Sequence, residues 1–290
     1  MRDWDSLGSW IAQMCKDTPY SDYAKLIVVS GTPMTKLAFF FSVLIAVCAA
    51  TARADDRLRF VTLEFAPFIY GENQQVAGPG RDVIAEACLR AGIACSFDIY
   101  PWRRAQELMK AGDADGMMVI GRNPAREEWL DFSPPLFRTE YGFFVAANNP
   151  LIYDEQSQVA GYRVGVFAPS NTETQLKGLR EEQIAQQVEP IEIDGHPDDA
   201  AGMRKLAANR LDAVYSNRDR GWGIISDEEL GGKVRYAGGD KAILYYAGIR
   251  KDFPDPDVVK RFFDSWPALY SDGTAQRIIE GYGLEPAPQE

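Results

Sequence analysis

The chain has 290 residues, 31 basic and 42 acidic side chains and a formal charge of −11, with a pI near 4.8. Its 46% hydrophobic and 25% charged content excludes whole-chain disorder and an integral membrane protein, and the negative charge repels a nucleic acid. A single histidine, His196, and four cysteines exclude a histidine-rich metal site or a four-cysteine zinc ribbon spread over the fold.

The strongest apolar run is 37–47, preceded by Lys36 and continued by Cys48, Ala49 and Ala50. It is shorter than the roughly 20 apolar residues a bilayer span requires. Ala52-Arg53-Ala54 follows, with small residues at the two positions a signal peptidase reads. The run reads as a signal peptide over 34–54, starting at Met34 and cleaved after Ala54, with export to the periplasm. The alternative is a buried core helix. Residues 1–33 carry mixed charges without a periodic pattern and are expected to be an over-extended N-terminus. Cys48 follows Val47, a poor match for a lipid-acceptor cysteine.

Two cysteines remain beyond the leader, Cys88 late in an expected helix and Cys95 at the start of the next strand. In an oxidising compartment an even count favours a bridge that ties the turn between them, against two buried free thiols.

The exported part begins with an alternating strand at 58–63, then a loop containing Pro67, Gly71, Gly78, Pro79 and Gly80. Val83, Ile84, Ala87 and Cys88 lie at helical spacing in 82–91, which Gly92 stops. A strand at 95–99, a helix at 102–111 ended by Gly112, and a fully apolar strand at 116–120 complete a unit whose order implies a parallel sheet. The pattern restarts after Pro150: strand 163–167, helix 172–179, strand 188–193, helix 198–209, strand 211–215. Long strands at 141–147 and 242–249 flank this second unit, and helices at 257–270 and 274–282 close the chain. His196, next to Pro197, is expected in a loop. The simplest arrangement is two lobes, 55–147 plus 243–290 and 148–242, joined by two crossings with a ligand cleft between them.

Several short stretches carry a family likeness. They are Ala66-Pro67-Phe68, Gly112-Asp113-Ala114-Asp115-Gly116, Arg126 with Phe132-Ser133-Pro134, Gly165-Val166, Leu211-Asp212-Ala213, Asp272-Gly273-Thr274 and Tyr282-Gly283-Leu284. In this order over 57–285 the chain resembles the extracellular solute-binding proteins of family 3, the polar amino-acid-binding components of ABC importers. The resemblance implies an α/β fold of the type II periplasmic binding protein class, two α/β lobes joined by a two-strand hinge. The spacing of Cys88 and Cys95 also resembles a disulfide of some members. The expected partners are a small-molecule ligand and a membrane ABC permease, with no nucleic acid and no cofactor, and the expected state is a monomer.

The resemblance makes Phe65 and Trp102 the aromatic pair that sandwiches the ligand; otherwise both are core or cleft-lip packing. It makes Arg126 the group that grips a ligand carboxylate through its planar fork; otherwise Arg126 pairs with Glu127 or Glu128. Ser170, Asn171 and Thr172 open a helix after a strand, where free N–H groups favour an anion and also suit ordinary capping. Two departures stand out. Val119, Ile120 and Gly121 occupy positions where the family usually has hydroxyl residues, and Asn217 occupies the position of an acidic residue that holds the ligand ammonium. Either Glu64 or Asp219 substitutes, or the ligand is not a standard α-amino acid. Arg103, Arg104, Arg122 and Arg218 add positive charge near the cleft or lie on solvated faces. The rival readings are an exported enzyme on the same fold, similar to a cyclohexadienyl dehydratase with Glu64 as its acid or base, and a sensor partner that presents bound ligand.

Overall fold

The computed structural model describes residues 56–289. The expected leader at 34–54, Cys48 and the segment 1–33 lie outside the described residues.

Strand β1 (Arg57–Thr62) pairs in parallel with β4 (Ala94–Ile99) on one side and with β5 (Gly116–Gly121) on the other. Between β1 and β4 lie a hairpin of β2 (Tyr70–Glu72) and β3 (Gln75–Ala77) and the helix α1 (Pro79–Ala91). The hairpin turns through Asn73 and Gln74, both at positive φ, as a two-residue turn between right-twisted strands requires. Helix α1 starts three residues ahead of the expected 82, because Pro79 fits a first helical position, where its missing N–H is not needed. It buries Val83, Ile84, Ala87 and Cys88 and ends at Gly92 in the left-handed region. Across that end Cys88 and Cys95 are bonded, with their Cα atoms 6.2 Å apart. Helix α2 (Trp102–Ala111) packs Ala105, Leu108 and Met109 against the sheet.

The second unit repeats the layout. Strands β8 (Arg163–Phe167), β9 (Glu192–His196) and β10 (Ala213–Asn217) are parallel, β8 lying between the other two. Helices α4 (Asn171–Ala185), α5 (Asp199–Ala207) and α6 (Arg218–Asp227) pack on them. Two long antiparallel strands, β7 (Phe137–Ala146) and β11 (Val234–Arg250), join the units into one sheet ordered β4-β1-β5-β11-β7-β10-β8-β9. Short β6 (Leu130–Phe132) pairs with the end of β11. Strand β7 takes β10 as partner from Tyr141 onward, and β11 takes β5 from Tyr245 onward. The β11–β7 ladder is irregular between Tyr236 and Gly238 and again between Gly239 and Lys241. At the second irregularity the carboxylate of Asp240 accepts the hydroxyls of Tyr153 and Tyr215, each at 2.6 Å.

Other expected elements shift for identifiable reasons. The strand expected at 188–193 begins only at Glu192. The buried side chain of Gln183 accepts the Ile191 N–H at 2.9 Å, and Val188 N–H caps the end of α4 on the Gln183 carbonyl. His196 is not a loop residue: it ends β9 and is 6% exposed. The helix expected over 257–270 divides into α7 (Pro256–Asp264) and α8 (Trp266–Ser271), because Pro267 has no N–H to continue the ladder. Helix α9 (Thr274–Gly281) closes the chain. Among the described residues no helix is long and apolar enough to cross a membrane.

Candidate functional site

The site grows from an irregularity in β5. Val119 has φ +57, a conformation that costs a β-branched residue energy. Strand β11 skips it, pairing Tyr246 with Ile120 and Ala247 with Met118. Gly80 leaves room for the displaced side chain, since a Cβ there would stand 2.6 Å from Val119 Cγ2. The bulge redirects the exit of β5, and Gly121 and Asn123 lead into the four-residue helix α3 (Pro124–Glu127). Asn123 caps it by accepting the Arg126 N–H at 2.9 Å.

This local geometry aims Arg126 inward. Its Nη1 donates to the Gly121 carbonyl at 2.6 Å, and its guanidinium carbon lies 5.3 Å from the ring centre of Trp102, the first residue of α2. The surface pairing with Glu127 or Glu128 does not form: Glu127 is taken by Arg122. Among the described residues no ion pair satisfies Arg126, and desolvation by burial pulls its pKa down, opposed only by the Tyr141 and Tyr245 hydroxyls. A desolvated guanidinium without a counter-ion is costly unless an anion completes it.

The second unit meets this point through α4. Ser170 caps the helix, accepting the Glu173 N–H at 3.0 Å while donating to the Phe167 carbonyl at 2.6 Å. Asn171 reaches across: its Oδ1 accepts from Asn123 Nδ2 and its Nδ2 donates to the Tyr141 hydroxyl, both at 3.4 Å. A Cβ on Gly121 would lie 3.1 Å from Asn171 Nδ2, so the two units are in contact here. Thr172 follows in the first turn, half-buried, where helix N–H groups have no intrahelical acceptor. The Tyr141 hydroxyl is a close neighbour of Tyr245, whose ring meets Phe65 edge-on at 5.6 Å. Phe65, Tyr245, Tyr141, Asn171, Gly121, Arg126 and Trp102 are therefore connected contact by contact. Phe65 stacks on Phe68 at 5.4 Å, whereas the partner of Trp102 is Arg126.

The remaining expected residues stand differently. Asn217 is 2% exposed and caps α6, its Oδ1 accepting the Arg220 N–H at 2.9 Å and its Nδ2 donating to Thr139 Oγ1 at 3.0 Å. Thr139 donates in turn to Asp219 at 2.6 Å, and Arg218 grips both oxygens of Asp219 at 3.2 Å. Glu64 is exposed and accepts the Gly71 N–H at 3.0 Å, holding the start of the β2–β3 hairpin. Arg103 and Arg104 are exposed on α2, and Arg122 is exposed beside Glu127.

Sequence reasoning did not find Asp199 and Arg220. Arg220 Nη1 reaches from α6 to the Ala66 carbonyl, beside Phe65, at 3.4 Å, while its Nε lies 3.8 Å from Asp199. Burial pushes the Asp199 carboxyl up to about 6, against the pull of Arg220. A Cβ on Gly223 would lie 3.5 Å from the same Ala66 carbonyl, so α6 seats directly on the loop after β1. The available signal was the run Arg218-Asp219-Arg220 just past a parallel strand, where α/β sheets bind ligands. Among the described residues no group of three His, Cys, Asp or Glu side chains can hold a metal.

Two α/β units threaded by one sheet are the fold of the periplasmic binding proteins. The chain belongs to the bacterial extracellular solute-binding proteins, family 3, which it matches over residues 58–285. Solved structures of three kinds share the fold. A histidine kinase sensor domain with similarity to periplasmic binding proteins is 18% identical, covering 81% of this chain and 99% of its own, with a TM-score of 0.69. An amino-acid ABC transporter substrate-binding protein from Streptococcus pneumoniae, bound to L-arginine, is 18% identical, covering 78% and 94%, with a TM-score of 0.64. An ancestral amino-acid-binding protein, a precursor of cyclohexadienyl dehydratase, is 18% identical, covering 78% and 95%, with a TM-score of 0.64.

Proposed function

We propose that the protein captures a small carboxylate-bearing solute, an amino acid or a related compound, in the periplasm and delivers it to a membrane ABC permease. The observation that carries this reading is Arg126, desolvated, aimed between the units and without an anionic partner among the described residues. The ligand carboxylate takes the free edge of that guanidinium. The first-turn N–H groups of α4 at Asn171 and Thr172, ordered by the Ser170 cap, approach it from the other lobe. Phe65 and Trp102 supply the apolar walls. Lobes of 55–147 plus 243–290 and 148–242 close on the ligand, which stabilises the closed form by touching both.

The relation to a dehydratase precursor raises the enzyme reading. The exposure of Glu64 and its bond to Gly71 favour capture over turnover, since an acid or base for that reaction must face the cleft. Native mass spectrometry of the purified exported chain, followed by a thermal-shift screen of amino and organic acids, tests the reading. A ligand at 100 times its dissociation constant adds about 2.7 kcal/mol of stability. Recovery of an intact small acid supports capture; conversion of prephenate by the protein overturns it.

A further inference from the structure

We propose that the cleft selects acids that carry no ammonium group, so that the ligand class is a small carboxylate of net charge −1 and not a zwitterionic amino acid. The proposal rests on the reading that Arg126 holds a ligand carboxylate, and it adds what the opposite side of the cleft refuses.

The charged groups where the lobes meet are Arg126, Arg218, Arg220, Asp199 and Asp219. Each of the two carboxylates already faces a guanidinium, and Arg218 is shared between Asp219 and Glu140. Asp219 is gripped through both oxygens by Arg218 at 3.2 Å and also takes the Thr139 hydroxyl at 2.6 Å. Asp199 lies 3.8 Å from Arg220. Glu140 points to the face of β7 opposite Thr139 and Tyr141. It takes the Tyr236 hydroxyl at 2.9 Å and the far side of Arg218 at 3.5 Å. An ammonium brought to Asp219 therefore stands against Arg218, and one brought to Asp199 stands against Arg220, both like-charge encounters in a desolvated place. The side chain of Asn217 is engaged by the Arg220 N–H and Thr139, and an amide carries no charge to neutralise a cation. Glu64 is exposed at the hairpin. The second lobe thus offers an ammonium no carboxylate without a guanidinium already against it, while the first lobe presents Arg126 with no counter-ion among the described residues. One carboxylate neutralises Arg126; a zwitterion brings a cationic end that meets a guanidinium at each carboxylate it could reach.

The test is calorimetry on the exported chain with matched probes whose desamino members carry net charge −1: 3-phenylpropanoate against L-phenylalanine, 4-methylpentanoate against L-leucine, and 5-amino-5-oxopentanoate against L-glutamine. The expected result is that the desamino member of every pair that binds is tighter by about tenfold or more. Asn217→Asp keeps the helix cap and adds a carboxylate without its own guanidinium, and is expected to move the ratio toward the amino acid by at least about tenfold. Amino acids binding more tightly than their desamino partners, with Arg126→Ala weakening both, overturns this proposal and leaves the capture reading standing. Binding that Arg126→Ala does not change overturns the carboxylate reading and the proposal together, as does the absence of binding by every probe.

Discussion

The guanidinium of Arg126 lies over the Trp102 indole with its carbon 5.3 Å from the ring centre, while its Nη1 is committed to the Gly121 carbonyl. The indole covers one face and the carbonyl one corner, so a bidentate edge is left for an incoming anion. A cation over an aromatic face recovers about 0.5–2 kcal/mol, a partial offset for the solvation Arg126 loses. Arg126→Ala is expected to weaken carboxylate binding by about 1.5–3 kcal/mol, the contribution of a charge-assisted hydrogen bond. The thermal midpoint of the ligand-free protein is expected to stay level or rise, because an unneutralised buried charge is removed. Calorimetry and scanning fluorimetry on the same preparation check both halves.

Helix α6 seats on the Ala66–Pro67 loop through Gly223, whose missing Cβ would stand 3.5 Å from the Ala66 carbonyl and 3.7 Å from Pro67 Cδ. Gly223→Leu is expected to wedge the lobes apart. Its signature is an affinity loss of roughly tenfold or more, a ligand-free thermal midpoint close to that of the parent, and a larger radius of gyration than the parent at saturating ligand in small-angle scattering. Gly223→Ala, at ordinary contact distance, is expected to bind normally.

Asp199 holds its proton up to about 6. A carboxyl whose folded pKa lies above its unfolded value favours the folded state while protonated. Its contribution is complete below the unfolded value and is lost as pH rises to about 6. The parent is therefore expected to lose up to roughly 3 kcal/mol relative to Asp199→Asn between pH 4 and 7. Urea unfolding of both proteins across that range measures the difference, and a constant difference removes the effect.

The Cys88–Cys95 bond closes a short loop, separation 7, that joins the end of α1 to β4. Chain entropy assigns such a loop roughly 2–3 kcal/mol. Cys88→Ser is expected to lower the thermal midpoint while leaving ligand affinity unchanged, since the bond lies at the opposite end of β4 from the loop that carries Trp102.

The alternation of strands and helices was legible because each period is local. Trp102–Ala111 and Arg163–Phe167 begin and end where their apolar spacing and glycines place them. The elements that escaped were held by distant groups. The late start of β9 depends on the buried Gln183 amide, and the division of α7 from α8 on how Pro267 is received. Arg126 was singled out by the family resemblance and Asn171 by its place where a helix begins after a strand. The bulge at Val119 that aims Arg126 was not, because a positive φ at valine is set by the packing around Gly80 and β11 and leaves no mark in local composition. Asp199 and Arg220 come from different helices, and only folding puts them side by side.

The irregular stretch of β11 also fixes where a swing of the jaws has to be absorbed. Asp240, clamped by two phenols, makes the chain up to that point part of the second lobe's own body, whereas from Tyr245 onward β11 is laced to β5 and belongs to the first. Between them the strand from Lys241 to Leu244 is zipped only to β7, from Arg138 to Tyr141. That narrow ribbon of two strands is where closure of the proposed lobes is expected to bend the molecule, with Thr139 inside it and Tyr141 at its end. In the proposed capture, the residues that flex are thus the same ones that touch Asp219 and Asn171, so lobe closure and ligand contact act on one segment.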